Sequence, residues 1–117
     1  MEKVINDLVG YENLKIVQIN DYFNFSLDSV LLANFVNLNN KIKNIIDLGT
    51  GNAPIPLILS TKTNEKIIGI EIQKEIYDLA VESVKLNNLN NQIEILNIDI
   101  NILTGCGKKR KGLWKRK

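Results

Sequence analysis

From Asn44 onward the chain alternates short apolar runs with amphipathic stretches. Asn44-Ile45-Ile46-Asp47-Leu48 and Lys66-Ile67-Ile68-Gly69-Ile70-Glu71 are brief and rich in isoleucine, the pattern of strands buried on both faces. Along Gln92–Asp99 the isoleucines alternate with other residues and predict a third strand. Between the first two strands, Gly49-Thr50-Gly51 forms a glycine turn. Pro56–Ser60 then reads as the start of a helix, with Pro56 in the first turn, where its missing N–H costs little. Between the second and third strands, Gln73–Leu89 predicts a helix. Ile76, Leu79, Ala80 and Val84 share one face, and Glu75, Asp78, Glu82 and Lys85 lie largely away from it.

The first forty residues follow a different pattern. Met1–Gly10 is polar with scattered apolar positions. Leu14–Ile19 predicts a strand, Asn20-Asp21 a turn, and Tyr22–Phe25 a short second strand, which together suggest a hairpin. Ser26 is placed to cap a helix over Leu27–Val36, with Asp28 in its first turn and Leu27, Val30, Leu31, Asn34 and Phe35 at near-helical spacing. The expected order is a hairpin and a helix, then β-α-β-α-β. That is an α/β architecture with a parallel sheet covered by helices. The division it implies is an N-terminal part over 1–40, a sheet domain over 41–103 and a tail over 104–117.

Composition narrows the function classes. The chain has 117 residues, 44% hydrophobic and 24% charged, in keeping with one soluble domain. It has one cysteine and no histidine, so neither an internal disulfide nor a zinc site is expected. No signal peptide and no membrane-length apolar run stand out, and a cytoplasmic, metal-free protein is the expectation. The net charge of +2 conceals an asymmetry. Seven basic residues lie in Lys108–Lys117, which leaves eight basic against thirteen acidic residues in the body. That tail, with Trp114, could bind RNA through phosphates and stacking, or be a solvated end.

The chemistry gathers at the strand ends. Asp47 and the glycine turn close the first strand, Glu71 the second and Asp99 the third, and open α/β sheets bind ligands at this edge. Gly49 and Gly51 allow a sharp turn and close approach of backbone to a ligand. The helix start beyond the turn suits a carboxylate through its free N–H groups. Glu71 can accept two hydrogen bonds from a ribose diol, or be a surface carboxylate. Asp99 can accept one from an adenine amine, or serve as a turn or cap residue. A nicotinamide-dependent dehydrogenase shares the spacing of Glu71 after Gly51, but it wants a third glycine. Here Asn52, Ala53 and Pro54 follow instead.

Asp47-Leu48-Gly49-Thr50-Gly51-Asn52 resembles the first motif of class I S-adenosylmethionine-dependent methyltransferases, which have a Rossmann-like fold. With Ile55–Ser60, Glu71-Ile72-Gln73 and Phe25-Ser26-Leu27-Asp28-Ser29-Val30-Leu31-Leu32-Ala33, the chain looks like bacterial adenine-N6 methyltransferases acting on valine tRNA beside the anticodon. The resemblance runs from about Gly10 to about Asp99. It implies S-adenosylmethionine as cofactor and tRNA as partner. Asp47, Gly49, Thr50, Gly51 and Asn52 would line the cofactor's methionine and ribose. Glu71 would hold the ribose hydroxyls, Asp99 would meet the adenine amine between Ile72 and Ile100, and Phe25, Ser26 and Asp28 would close the pocket.

Two departures qualify these expectations. Ala53 stands where the family usually has glycine, and Pro54 pushes it towards extended backbone. If a positive φ is needed there, strain of about 1–2 kcal/mol is expected. The family's catalytic segment, Asn-Pro-Pro-Tyr, which holds a base removed from its stack, does not occur in the sequence. No catalytic residue is therefore assigned. The chain is expected to be a truncated or frame-shifted product, of marginal stability or self-associating. A non-catalytic cofactor- or RNA-binding remnant is the main alternative, and an NAD-dependent oxidoreductase is disfavoured.

Overall fold

Strand β1 (Lys3–Leu8) turns at Gly10 into strand β2 (Tyr11–Ile19), and the two pair antiparallel with Val4 opposite Gln18 and Asn6 opposite Ile16. The structure is a computed structural model and describes residues 2–8, 10–19 and 27–101. Helix α1 (Leu27–Phe35) leads to β3 (Asn44–Leu48), α2 (Pro54–Leu59), β4 (Lys66–Ile70), α3 (Lys74–Leu86) and β5 (Ile93–Leu96). The last three strands form one parallel sheet in the order β3-β4-β5. Its register aligns Asp47 with Gly69 and Ile95, so the three strands end together. The β-α-β-α-β order expected from the apolar pattern is the order observed.

The hairpin differs from expectation. Met1–Gly10 has no apolar alternation, yet β1 forms there. Val4 is half-buried and Leu8 buried, while the other four positions of the strand are exposed. It is held by its backbone ladder to β2 rather than by a buried face, so its pattern carries no strand signal. Tyr22–Phe25, the second strand expected of a hairpin, lies outside the described residues, as does the cap Ser26.

The far edge of β2 is closed by side chains. Val17 N–H donates to Ser83 Oγ at 2.9 Å, and Val17 carbonyl accepts from Asn52 Nδ2 at 3.0 Å. Lys15 N–H donates to Asn87 Oδ1 at 2.8 Å, and Lys15 carbonyl accepts from Asn87 Nδ2 at 2.6 Å. These four bonds satisfy backbone groups that a neighbouring strand would otherwise meet. They also fasten the hairpin to α3 and to the glycine turn.

The apolar face read for α3 is the buried one: Leu79, Ala80 and Val84 are buried, joined by Ser83. The helix stops at Leu86, three residues before the expected end. Asn88 takes φ 59°, Leu89 N–H donates to Val84 carbonyl at 3.0 Å, and Asn88 N–H to Lys85 carbonyl at 3.0 Å. This is a left-handed helix stop with its paired bonds, and Leu89 packs in the same cluster as Val84. On α1 the pattern misleads. Ala33 is buried, whereas Leu31, Leu32 and Phe35 are exposed, Phe35 by 86%. One apolar cluster links Leu14 and Ile16 of β2 with Ala33, Ala53, Leu57, Ile58, Ile67 and Ile93. Among the described residues no helix is long and apolar enough to cross a membrane, and no group of acidic, cysteine or histidine side chains could hold a metal.

Candidate cofactor site

The turn after β3 is built by three departures from ordinary backbone, at alternate residues. Gly49 has φ 69°, Gly51 φ 61° and Ala53 φ 74°. Ala53 is thus left-handed, not extended as Pro54 alone would dictate. Its N–H donates to Thr50 carbonyl at 3.0 Å and its carbonyl accepts Leu57 N–H at 3.2 Å, and these bonds hold it there as the residue before α2. Helix α2 begins at Pro54, two residues earlier than expected, so prolines occupy its first and third positions. Neither has an N–H. The helix start therefore offers fewer free donors to a carboxylate than the sequence reading assumed.

Thr50 anchors the turn. Its N–H continues the ladder to Ile70 carbonyl at 2.9 Å, and its hydroxyl donates to Asp47 Oδ2 at 2.6 Å. The side chain is buried because Gly69 makes room for it. A Cβ on Gly69 would lie 2.9 Å from Thr50 Cγ2 and Oγ1 and from Ile95 Cδ1. An isolated glycine inside an apolar strand signals such an approach, and Gly69 is a site-shaping residue that the motif reading passed over. Asp47 is half-buried, and burial raises its carboxyl above the ordinary value, partly offset by the Thr50 hydrogen bond.

Glu71 is only 8% exposed, so it is not a surface carboxylate. Its Oε1 accepts Gly51 N–H at 3.0 Å and its Oε2 accepts Gln73 N–H at 3.1 Å. One side chain thus ties the glycine turn to the residue before α3. Each carboxylate oxygen keeps a further acceptor position. Glu71 N–H donates to Leu96 carbonyl at 3.0 Å, which fixes the strand end itself. Asn97 Nδ2 donates to the carbonyls of Glu71 and Ile72, both at 2.9 Å, and locks the β5 exit against the β4 exit.

A cavity of about 320 Å³ opens at these strand ends, lined by Leu48, Gly49, Ile70, Glu71, Ile72, Ile98 and Ile100. Of the residues singled out from the sequence, it brings together Gly49, Glu71, Ile72 and Ile100. Asp47 in β3 and Thr50, Gly51 and Asn52 in the turn are not among its lining residues; they are held through the bonds described. Asp99 is not among its lining residues. It accepts Asn101 N–H at 2.8 Å, directly before the helical backbone that begins at Ile100. Asp28 is exposed in the first turn of α1. Phe25 and Ser26 lie outside the described residues. The sequence reading missed Leu48, Ile70 and Ile98, which read there only as strand residues. A second cavity, about 390 Å³, is lined by Lys66, Tyr77, Ile93 and Glu94 among others, near the opposite ends of β4 and β5. Its one lining carboxylate, Glu94, is exposed.

An apolar slot with one buried carboxylate and a glycine turn suits a flat aromatic ring joined to a diol. In fold and strand-end chemistry the chain resembles the class I, Rossmann-like methyltransferases, in their N-terminal part. Its relatives point the same way. It is 31% identical over 84 residues to a Methanocaldococcus jannaschii protein named for protein N5-glutamine methyltransfer, a match covering 71% of this chain and 42% of that one. It is 31% identical over 74 residues to the tRNA1(Val) (adenine(37)-N6)-methyltransferase of Glaesserella parasuis, covering 62% of this chain and 31% of that one. Among solved structures it superposes on Pyrococcus horikoshii TYW2 in complex with MeSAdo, with a TM-score of 0.67 and 19% identity, over 83% of this chain and 36% of that one. No family model matches the chain. It spans less than half the length of the curated relatives it matches.

Proposed function

We propose that the chain binds S-adenosylmethionine at the β3-β4-β5 strand ends and serves a methyltransferase whose acceptor is the N6 amine of an adenine in tRNA. The observation that carries the cofactor reading is Glu71: a buried carboxylate at the end of β4, held between Gly51 and Gln73, with acceptor positions left for a ribose diol. Ile72, Ile98 and Ile100 give the apolar walls for an adenine ring. The cofactor supplies an electrophilic methyl group; the protein's part is to fix its position relative to the acceptor nitrogen. The acceptor assignment rests on the Phe25–Ala33 segment and on the tRNA-modifying relative. The glutamine-modifying relative names a different acceptor, an amide nitrogen, and the acceptor assay separates the two.

Calorimetry with the 117-residue chain tests the cofactor reading. S-adenosylmethionine is expected to bind and NAD not to bind, and Glu71→Ala is expected to weaken binding at least about tenfold, the worth of a hydrogen bond to a charged group. NAD binding without S-adenosylmethionine binding would instead support the oxidoreductase reading. Absence of either would leave a non-functional remnant.

A further inference from the structure

Gln18, next to last in β2, is 4% exposed, and its Nε2 is the one buried side-chain polar atom among the described residues that has no hydrogen-bond partner. Its Oε1 accepts from Asn6 Nδ2 at 2.6 Å. Exchanging nitrogen and oxygen in both amides would move the defect without removing it, because one end of the Gln18 amide still faces no partner. A buried amide deprived of water and left unpaired is unfavourable, and folded proteins leave few such groups without a use.

Its position suggests the use. Gln18 shares a face of β2 with Leu14 and Ile16, and those two belong to the cluster that includes Ala53 and Leu57. The adjacent residue, Val17, accepts the Asn52 side chain. Gln18 thus directly follows the residue that meets Asn52, while the apolar cavity is lined from the Leu48–Gly49 end of the same turn. A ligand with its adenosine in that cavity and an amino-acid tail laid along the turn would extend towards β2. The tail's carboxylate needs donors, and α2 supplies few: Pro54 and Pro56 have no N–H, and Leu57 N–H is taken by Ala53. We propose that the Gln18 amide donates to the carboxylate of the cofactor's methionine moiety, an inference that rests on the cofactor reading above.

The test compares S-adenosylmethionine with 5′-methylthioadenosine, which keeps the nucleoside and the sulfur but lacks the amino-acid tail. Calorimetry on the native chain and on Gln18→Leu is expected to show S-adenosylmethionine binding weakened about ten- to a hundredfold, as for loss of one bond to a charged group. Methylthioadenosine binding is expected to be unchanged. The thermal midpoint of the unliganded variant should not fall, since an unpaired amide is removed and the exposed Asn6 regains water. Gln18→Met, closer in shape, should give the same ratio between ligands if the leucine variant folds poorly. Equal loss for both ligands, no loss for either, or a lowered midpoint with the ratio intact would overturn the role given to Gln18. A native chain that binds neither ligand would overturn the cofactor reading itself.

Discussion

Ala53 holds φ 74° with a proline as its next residue, and it is fully buried. The local rule for a residue before proline loses here to the turn's own hydrogen bonds. Left-handed backbone costs alanine roughly 1–2 kcal/mol. Replacing it with glycine would relieve that strain, but would add about 0.4–1 kcal/mol of unfolded-chain entropy and remove a buried methyl worth about 0.8 kcal/mol. Ala53→Gly is therefore expected to unfold in urea within about 1 kcal/mol of the native chain. Ala53→Val adds branching to a left-handed residue and bulk to a filled position, and is expected to lose about 3 kcal/mol. Asp47 couples folding to pH. Burial raises its folded value, so the folded state holds the proton more tightly than the unfolded chain. Its contribution to stability is full below the ordinary value of 3.8 and is lost as pH rises through the folded value. Thermal midpoints followed from acid to neutral pH should show that loss in the native chain and not in Asp47→Asn. The variant should be as stable or more stable at neutral pH, and should bind S-adenosylmethionine more weakly. A native profile flat in the window just above 3.8 would contradict the assignment.

At the scale of elements, the parallel strands were legible from their isoleucine runs, Ile45-Ile46, Ile67-Ile68 and Ile93 with Ile95, but only β4 is close to buried on both faces; β3, with Ile46 and Leu48 exposed, is not. Of the acids read at their ends, Asp47 lies within β3 and Glu71 directly follows β4, whereas β5 stops at Leu96 and leaves Asp99 three residues beyond it. The rest was written in contacts that no period reports. Strand β1 has a single buried side chain, Leu8. Helix α1 packs Val30 against the core but exposes Leu31 and Phe35, which its spacing would also bury. Ser83 reads as a polar interruption of α3, yet it is fully buried because its hydroxyl accepts from Val17 N–H on β2. Ser83→Ala is expected to strand that N–H without water and cost about 1–3 kcal/mol in chemical denaturation. An unchanged midpoint would show that the hairpin is not fastened there.

For the whole molecule, β3 has one strand neighbour among the described residues. Ile46 and Leu48 on that strand are 47% and 51% exposed, and Leu31, Leu32 and Phe35 stand exposed on α1. An open sheet edge with apolar side chains nearby favours pairing with a second copy. Sedimentation is expected to show concentration-dependent association, reduced in Phe35→Ser. A monomer across the concentration range, melting in one cooperative transition, would refute this. The bonds at Val17 bear on how such a molecule opens. Because Val17 of β2 is held by α3 on its N–H and by the glycine turn on its carbonyl, fraying of the hairpin from the sheet domain is expected to loosen the turn. The two are expected to open as one cooperative unit. Deuterium uptake at the Val17 amide is thus a readout of the site from outside it: a ligand that steadies Asn52 should slow exchange in a strand that the ligand need not touch.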